Sequence, residues 1–161
     1  TRFGGHKQAA GMDLPAAAVP AFRGAFNEAA RAALAPDDLR PVLRPDVELP
    51  LGEADLDLAH WLRYLGPHGV GNPGPLFLAR RVALERPRVV GEGHLKAALA
   101  VDGRRLDAIG FGLAERHPPA ALDGGRFDVV FRLERDEWRG APRAQAKLVA
   151  LRPAAGPPGG A

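Results

Sequence analysis

His94-Leu95-Lys96-Ala97-Ala98-Leu99-Ala100-Val101-Asp102-Gly103-Arg104-Arg105-Leu106-Asp107-Ala108-Ile109-Gly110-Phe111 is the stretch that decides the fold. Leu95, Ala97, Leu99 and Val101 recur at every second position, the period of a strand with one buried face. Asp102-Gly103 then supplies two residues that tolerate the positive φ of a tight hairpin. Residues 104–111 read as the returning strand.

The same period continues outward. Residues 76–90 form a long, basic, extended run. Phe127, Val129, Phe131 and Leu133 alternate with Asp128, Arg132 and Glu134, and residues 144–152 give a fifth strand. Between the third and fourth strands, residues 112–123 carry Pro118-Pro119 and suit a loop or short helix. Five strands with an insert at that place is the element order of an OB-fold barrel.

Upstream, residues 53–65 read as a helix with Leu58, Leu62 and Leu65 on one face, ended by Gly66-Pro67. Residues 36–52 hold Pro36, Pro41, Pro45 and Pro50 and suit an extended connector with an edge strand near 47–51. Residues 19–35 place Val19, Phe22, Phe26, Ala29, Ala30 and Ala33 on one helical face. Residues 1–14 read as a helix end, a turn at Gly4-Gly5 and a short strand. The expected class is α+β: a small α/β piece (1–35), a connector (36–75), a five-stranded OB-fold barrel (76–152) and a disordered tail (153–161).

Composition narrows the function. The 161 residues are 46% hydrophobic and 25% charged, the balance of a globular chain. No run approaches the roughly 18 apolar residues of a membrane span, so no membrane partner is expected. With no cysteine, disulfides and thiolate metal sites are excluded, which fits a reducing compartment, and a cytoplasmic location is expected. The net charge is +3, unevenly spread: residues 1–75 carry 7 basic and 9 acidic side chains, residues 76–161 carry 15 and 10. A basic second half favours polyanionic partners.

Several blocks carry a resemblance. Arg2-Phe3-Gly4-Gly5-His6-Lys7-Gln8-Ala9-Ala10-Gly11-Met12 resembles the glycine-glycine-histidine signature of the DHH-associated domain. Leu65-Gly66-Pro67-His68-Gly69-Val70-Gly71-Asn72-Pro73-Gly74-Pro75-Leu76-Phe77 resembles the linker before the OB domain of the RecJ single-stranded-DNA exonucleases. Gly91-Glu92-Gly93-His94-Leu95-Lys96, Asp107-Ala108-Ile109-Gly110-Phe111-Gly112 and Trp138-Arg139-Gly140 with Gln145 are similar to that family's barrel strands. The resemblance implies that residues 1–35 are the end of a DHH-associated domain and that the chain is part of a longer 5′-to-3′ exonuclease of DNA repair and recombination. It implies a catalytic Mn²⁺ or Mg²⁺ held by a DHH domain that would lie before Thr1. No cofactor, catalytic residue or metal ligand is assigned to this chain, and no nuclease activity is expected of it alone.

The resemblance also implies a substrate-phosphate site at Gly4, Gly5, His6 and Arg2. Glycines let backbone N–H groups approach an anion, and His6 can donate to it. On the barrel, Lys96, Arg132, Arg135 and Arg139 are candidate phosphate contacts, with Arg80, Arg81, Arg104 and Arg105 beside them. His94 and Trp138 are candidate stacking groups for single-stranded DNA. A second expected partner is the acidic tail of a single-stranded-DNA-binding protein. Two alternatives stay open: an OB-type protein-interaction module, and part of a DHH-type oligonucleotide or cyclic-nucleotide phosphodiesterase, against which the barrel argues.

Overall fold

The computed structural model describes residues 2–137 and 140–156. The chain divides between Leu43 and Arg44 into two compact units.

In the first unit, β1 (Phe3–His6) and β2 (Ala9–Met12) form an antiparallel hairpin. This corrects the expected turn at Gly4-Gly5: both glycines are strand residues without positive φ, and Lys7-Gln8 makes the turn. The pairing explains the glycine at position 5. Its cross-strand partner is Ala10, and a side-chain carbon at Gly5 would lie 2.8 Å from the Ala10 Cβ. Helix α1 (Val19–Ala33) follows a 3-10 turn at Ala16–Ala18, with Pro20 in its first turn, where a missing N–H costs nothing. Phe22 and Phe26 touch along its face, with ring centroids 5.8 Å apart.

The second unit begins with β3 (Val47–Glu48). The helix expected over 53–65 is built in three pieces: a 3-10 turn at Leu51–Glu53, α2 (Leu56–Trp61) and a 3-10 turn at Leu62–Leu65. The break has a physical cause. The Asp55 carboxylate accepts the Leu58 N–H at 2.8 Å and so caps a new helix start. Leu49, Leu51, Ala54 and Ala59 from this segment join the barrel core, so the core reaches upstream of Leu76.

The barrel strands are β4 (Phe77–Val90), β5 (His94–Val101), β6 (Arg104–Gly110), β7 (Phe127–Asp136) and β8 (Arg143–Pro153). Their order is β4-β5-β6-β8-β7, and β7 pairs back to β4, which closes the cylinder. The β6–β8 pair is parallel and the others are antiparallel. This is a five-stranded OB fold, and the β5–β6 hairpin turns at Asp102 (φ 49°) and Gly103 (φ 76°), as the sequence requires.

Closure depends on β4 serving two partners. Residues 77–82 pair with β7 and residues 83–90 with β5. The register shifts between Ala79 and Val82 and again between Glu85 and Arg88. Arg81 and Arg86 take positive φ inside those shifts, the local kinks that bend a strand around a small barrel. Val82, Leu95, Leu99, Val129 and Phe131 fill the interior, and Leu122 reaches in from the loop between β6 and β7. Each such side chain contributes about 1.5–3 kcal/mol of burial. Asp128 is buried on the outside of β7, where the Arg81 N–H donates to it at 3.3 Å and Arg80 and Arg152 lie 3.5 and 3.3 Å away.

Candidate nucleic-acid interface

An arginine already engaged by a carboxylate offers less field to a phosphate than an unengaged one. Several barrel arginines are engaged. Arg80 lies 2.6 Å from Glu48, whose hydrogen bond and charge raise the guanidinium pKa. Arg105 forks onto Glu85 at 2.7 and 3.3 Å. Arg81 donates to the Ala155 carbonyl at 2.8 Å, and Arg132 to the Gly74 carbonyl at 2.7 Å. Arg135 Nε lies 2.7 Å from Glu137 but off the line of a hydrogen bond, so that contact is an ion pair only.

Arg104, Arg116 and Arg126 are unengaged, but Arg86, Arg88, Lys96 and Arg143 differ in being unengaged together. None of these side chains makes a hydrogen bond or ion pair with another described residue. All four line one groove of about 190 Å³, with Ala98, Asp107 and the engaged Glu85 and Asp136. The register explains their convergence: Arg88 sits directly opposite Lys96, and Arg143 opposite Asp136. Like charges placed directly across a strand pair destabilise a sheet. Proteins break such local rules mainly at functional sites. A wider hollow of about 480 Å³ shares Arg86, Asp107 and Arg143 and extends the trough toward Arg104.

His94 lies two residues before Lys96 on β5, and Phe111 follows the end of β6. The His94 Nδ1 accepts the Gly112 N–H at 3.2 Å, and the two rings meet edge to face at 4.9 Å. The Lys147 ammonium lies 5.5 Å from the Phe111 centroid and 3.3 Å from Glu134.

Of the predicted residues, the structure therefore brings Lys96 and His94 to neighbouring positions on β5. It separates them from Arg132 and Arg135, which line a second groove of about 470 Å³ with Arg63, His68 and Glu134, beside α2. Gly4, Gly5, His6 and Arg2 lie in the first unit, all exposed, where the His6 ring accepts the Gln8 N–H at 3.3 Å. Trp138 and Arg139 lie outside the described residues. Sequence reasoning missed Arg86, Arg88, Arg143, Phe111 and Lys147. Arg86-Pro87-Arg88 carried one usable signal: a proline within a strand marks a bulge or edge where side chains are re-aimed.

Among the described residues, no three His, Asp or Glu side chains are grouped to hold a metal ion, and no helix is long and apolar enough to cross a membrane. The His117 pKa is lowered by burial, with Arg116 adding to the effect.

Comparison with known proteins agrees with the barrel fold. The family model described as RecJ OB domain matches residues 45–150. Two curated relatives are each described as single-stranded-DNA-specific exonuclease RecJ. The Bacillus subtilis protein is 31% identical over 91% of this chain and 19% of its own length. The Thermus thermophilus protein is 36% identical over 94% of this chain and 21% of its own length. The chain thus spans about a fifth of these relatives. Crystal structures of RecJ from Thermus thermophilus in complex with Mn²⁺ and with Mg²⁺ match 96% of this chain at 30% identity. Their TM-scores are 0.65 and 0.67, and the match covers 22% and 23% of those chains.

Proposed function

This chain belongs to the RecJ OB-domain family, and we propose that its barrel is the single-stranded-DNA-binding module of a 5′-to-3′ exonuclease acting in cytoplasmic DNA repair and recombination. One observation carries the reading: Arg86, Arg88, Lys96 and Arg143 converge unengaged in one trough on a closed barrel. Backbone phosphates are the ligand that four clustered, unneutralised cations recognise without reference to base sequence. The three carboxylates in the trough, Glu85, Asp107 and Asp136, weaken non-specific attraction and favour a strand laid along the cations.

Phosphodiester hydrolysis, with Mn²⁺ or Mg²⁺, is the proposed work of the longer protein rather than of these residues. A nuclease assay with either metal should show no turnover by this chain; robust cleavage would refute that division. Gly4, Gly5, His6 and Arg2 are proposed to contribute a phosphate contact, supported by their exposure and by the two bare glycine backbones in β1. The acidic tail of a single-stranded-DNA-binding protein is the second reading, favoured by Arg63, His68, Arg132 and Arg135 around the groove beside α2.

Fluorescence anisotropy with an oligothymidylate and an acidic peptide tests both. The DNA reading expects Lys96→Glu to abolish oligonucleotide binding and Arg135→Glu to leave it intact. The second reading expects the peptide to bind without displacing DNA and to be lost in Arg135→Glu. Loss of DNA binding in Arg135→Glu with none in Lys96→Glu would overturn the assignment of the trough.

A further inference from the structure

We infer that Phe111 is a base-stacking platform at the end of the cationic trough, an assignment that rests on the reading of the barrel as a DNA-binding module. Of the four phenylalanines in the barrel and its loops, Phe77, Phe127 and Phe131 are at most 6% exposed, whereas Phe111 is 55% exposed. A large apolar ring left in water needs a reason, and here the surrounding backbone is built to hold it there.

Phe111 follows Gly110, whose Cα is packed so closely that an added side-chain carbon would lie 2.6 Å from Leu113 Cδ1. It precedes Gly112, which turns the chain at φ 65°. The Gly112 N–H is tied to His94 Nδ1 at 3.2 Å, and the Ala114 N–H to the Gly93 carbonyl at 3.1 Å. The His94 ring meets that of Phe111 at a steep angle, with centroids 4.9 Å apart, and Lys147 lies over the Phe111 ring. The ring is therefore held by groups that leave much of its surface open. A pre-positioned aromatic surface loses little freedom when a base stacks on it.

Its place in the sheet supplies the second half of the argument. Lys96 is paired with Ile109, and Ile109 with Lys147. Phe111 lies two residues beyond Ile109, just past the end of β6 at Gly110. A nucleotide whose base rests on Phe111 can thus place its phosphate toward Lys96, where the trough begins. Stacking is indifferent to base identity, so it adds affinity that a sequence-independent binder can use.

The test compares an oligothymidylate with an abasic strand of equal length, by anisotropy, on the full chain. Phe111→Ala should weaken binding of the oligothymidylate roughly 5- to 150-fold, the equivalent of one stacked base. It should leave abasic affinity and salt dependence unchanged. Phe111→Leu, which keeps apolar bulk and loses the flat π surface, should follow Phe111→Ala and guards against a folding artefact. Phe111→Trp should keep wild-type affinity, with fluorescence quenched on binding relative to the wild-type tryptophans. Equal losses for both strands, or none for either, would overturn the inference. If wild type binds with a Lys96-dependent salt response but Phe111→Ala is silent, only this inference fails. If wild type binds neither strand, the DNA reading fails with it.

Discussion

Removing Lys96 should change the salt dependence of DNA binding by an amount set by the groove. Four unengaged cations line the trough: Arg86, Arg88, Lys96 and Arg143. Neutralising one phosphate of a single strand contributes about −0.7 to the slope of log affinity against log salt. Four contacts therefore predict a slope near −2.8, and affinity falling about 50-fold between 50 and 200 mM salt. Lys96→Ala should lower the slope to about −2.1 and the loss to about 20-fold. The matched control is Asp37→Ala/Arg40→Ala, which deletes an exposed ion pair outside the trough and no net charge. Its slope should stay at the wild-type value. Anisotropy titrations of an oligothymidylate at four salt concentrations read both. Equal slopes for wild type and Lys96→Ala, or a slope lowered as much by the control as by Lys96→Ala, would refute the account of which charges face the strand.

Three further outcomes probe the scaffold. Phe131→Ala empties a fully buried site against Phe77 and should cost about 3–5 kcal/mol in urea unfolding. Asp128→Ala removes the buried acceptor of the Arg81 N–H and the partner of Arg80 and Arg152. Because both guanidiniums can return to water, the cost should be near the lower end of about 1.5–3 kcal/mol, measured the same way. His117 gives the pH dependence. Burial, then Arg116, lowers its folded pKa below the usual 6.5, so the unfolded chain takes up the proton first. Stability should fall as pH drops below 6.5 toward that lowered value and be unaffected above it. His117→Gln should lose this component, seen as a smaller drop in melting temperature over the same window.

What could be read without coordinates was the local part of the fold. Asp102-Gly103 carries its own turn chemistry, and Leu95, Leu99, Phe127 and Phe131 announce their faces by alternation. The five strands and their order around the insert followed from that. Glycine misled, because it permits both turns and tight strand pairing: Gly5 is small so that Ala10 can approach, not so that the chain can turn. Asp55 restarted a helix that periodicity alone ran through from residue 53. The site was less legible than the fold. Alternation puts Lys96 and Arg132 on outward faces but says nothing of who stands opposite. Only the register sets Arg88 against Lys96 and sends Arg132 to Gly74. Phe111 was hidden for a similar reason, since an aromatic after a strand reads as core until its exposure is seen.

The central claim is that a single strand lies in the trough between β4, β5 and the start of β8. Backbone amide shifts of the isotope-labelled chain, recorded while an oligothymidylate is added, test it most directly. The account predicts shifts concentrated at Arg88, Lys96, Ala98, Phe111 and Arg143, with Arg63, His68 and Arg135 unmoved. Shifts confined to the residues around α2, with the trough silent, would contradict it.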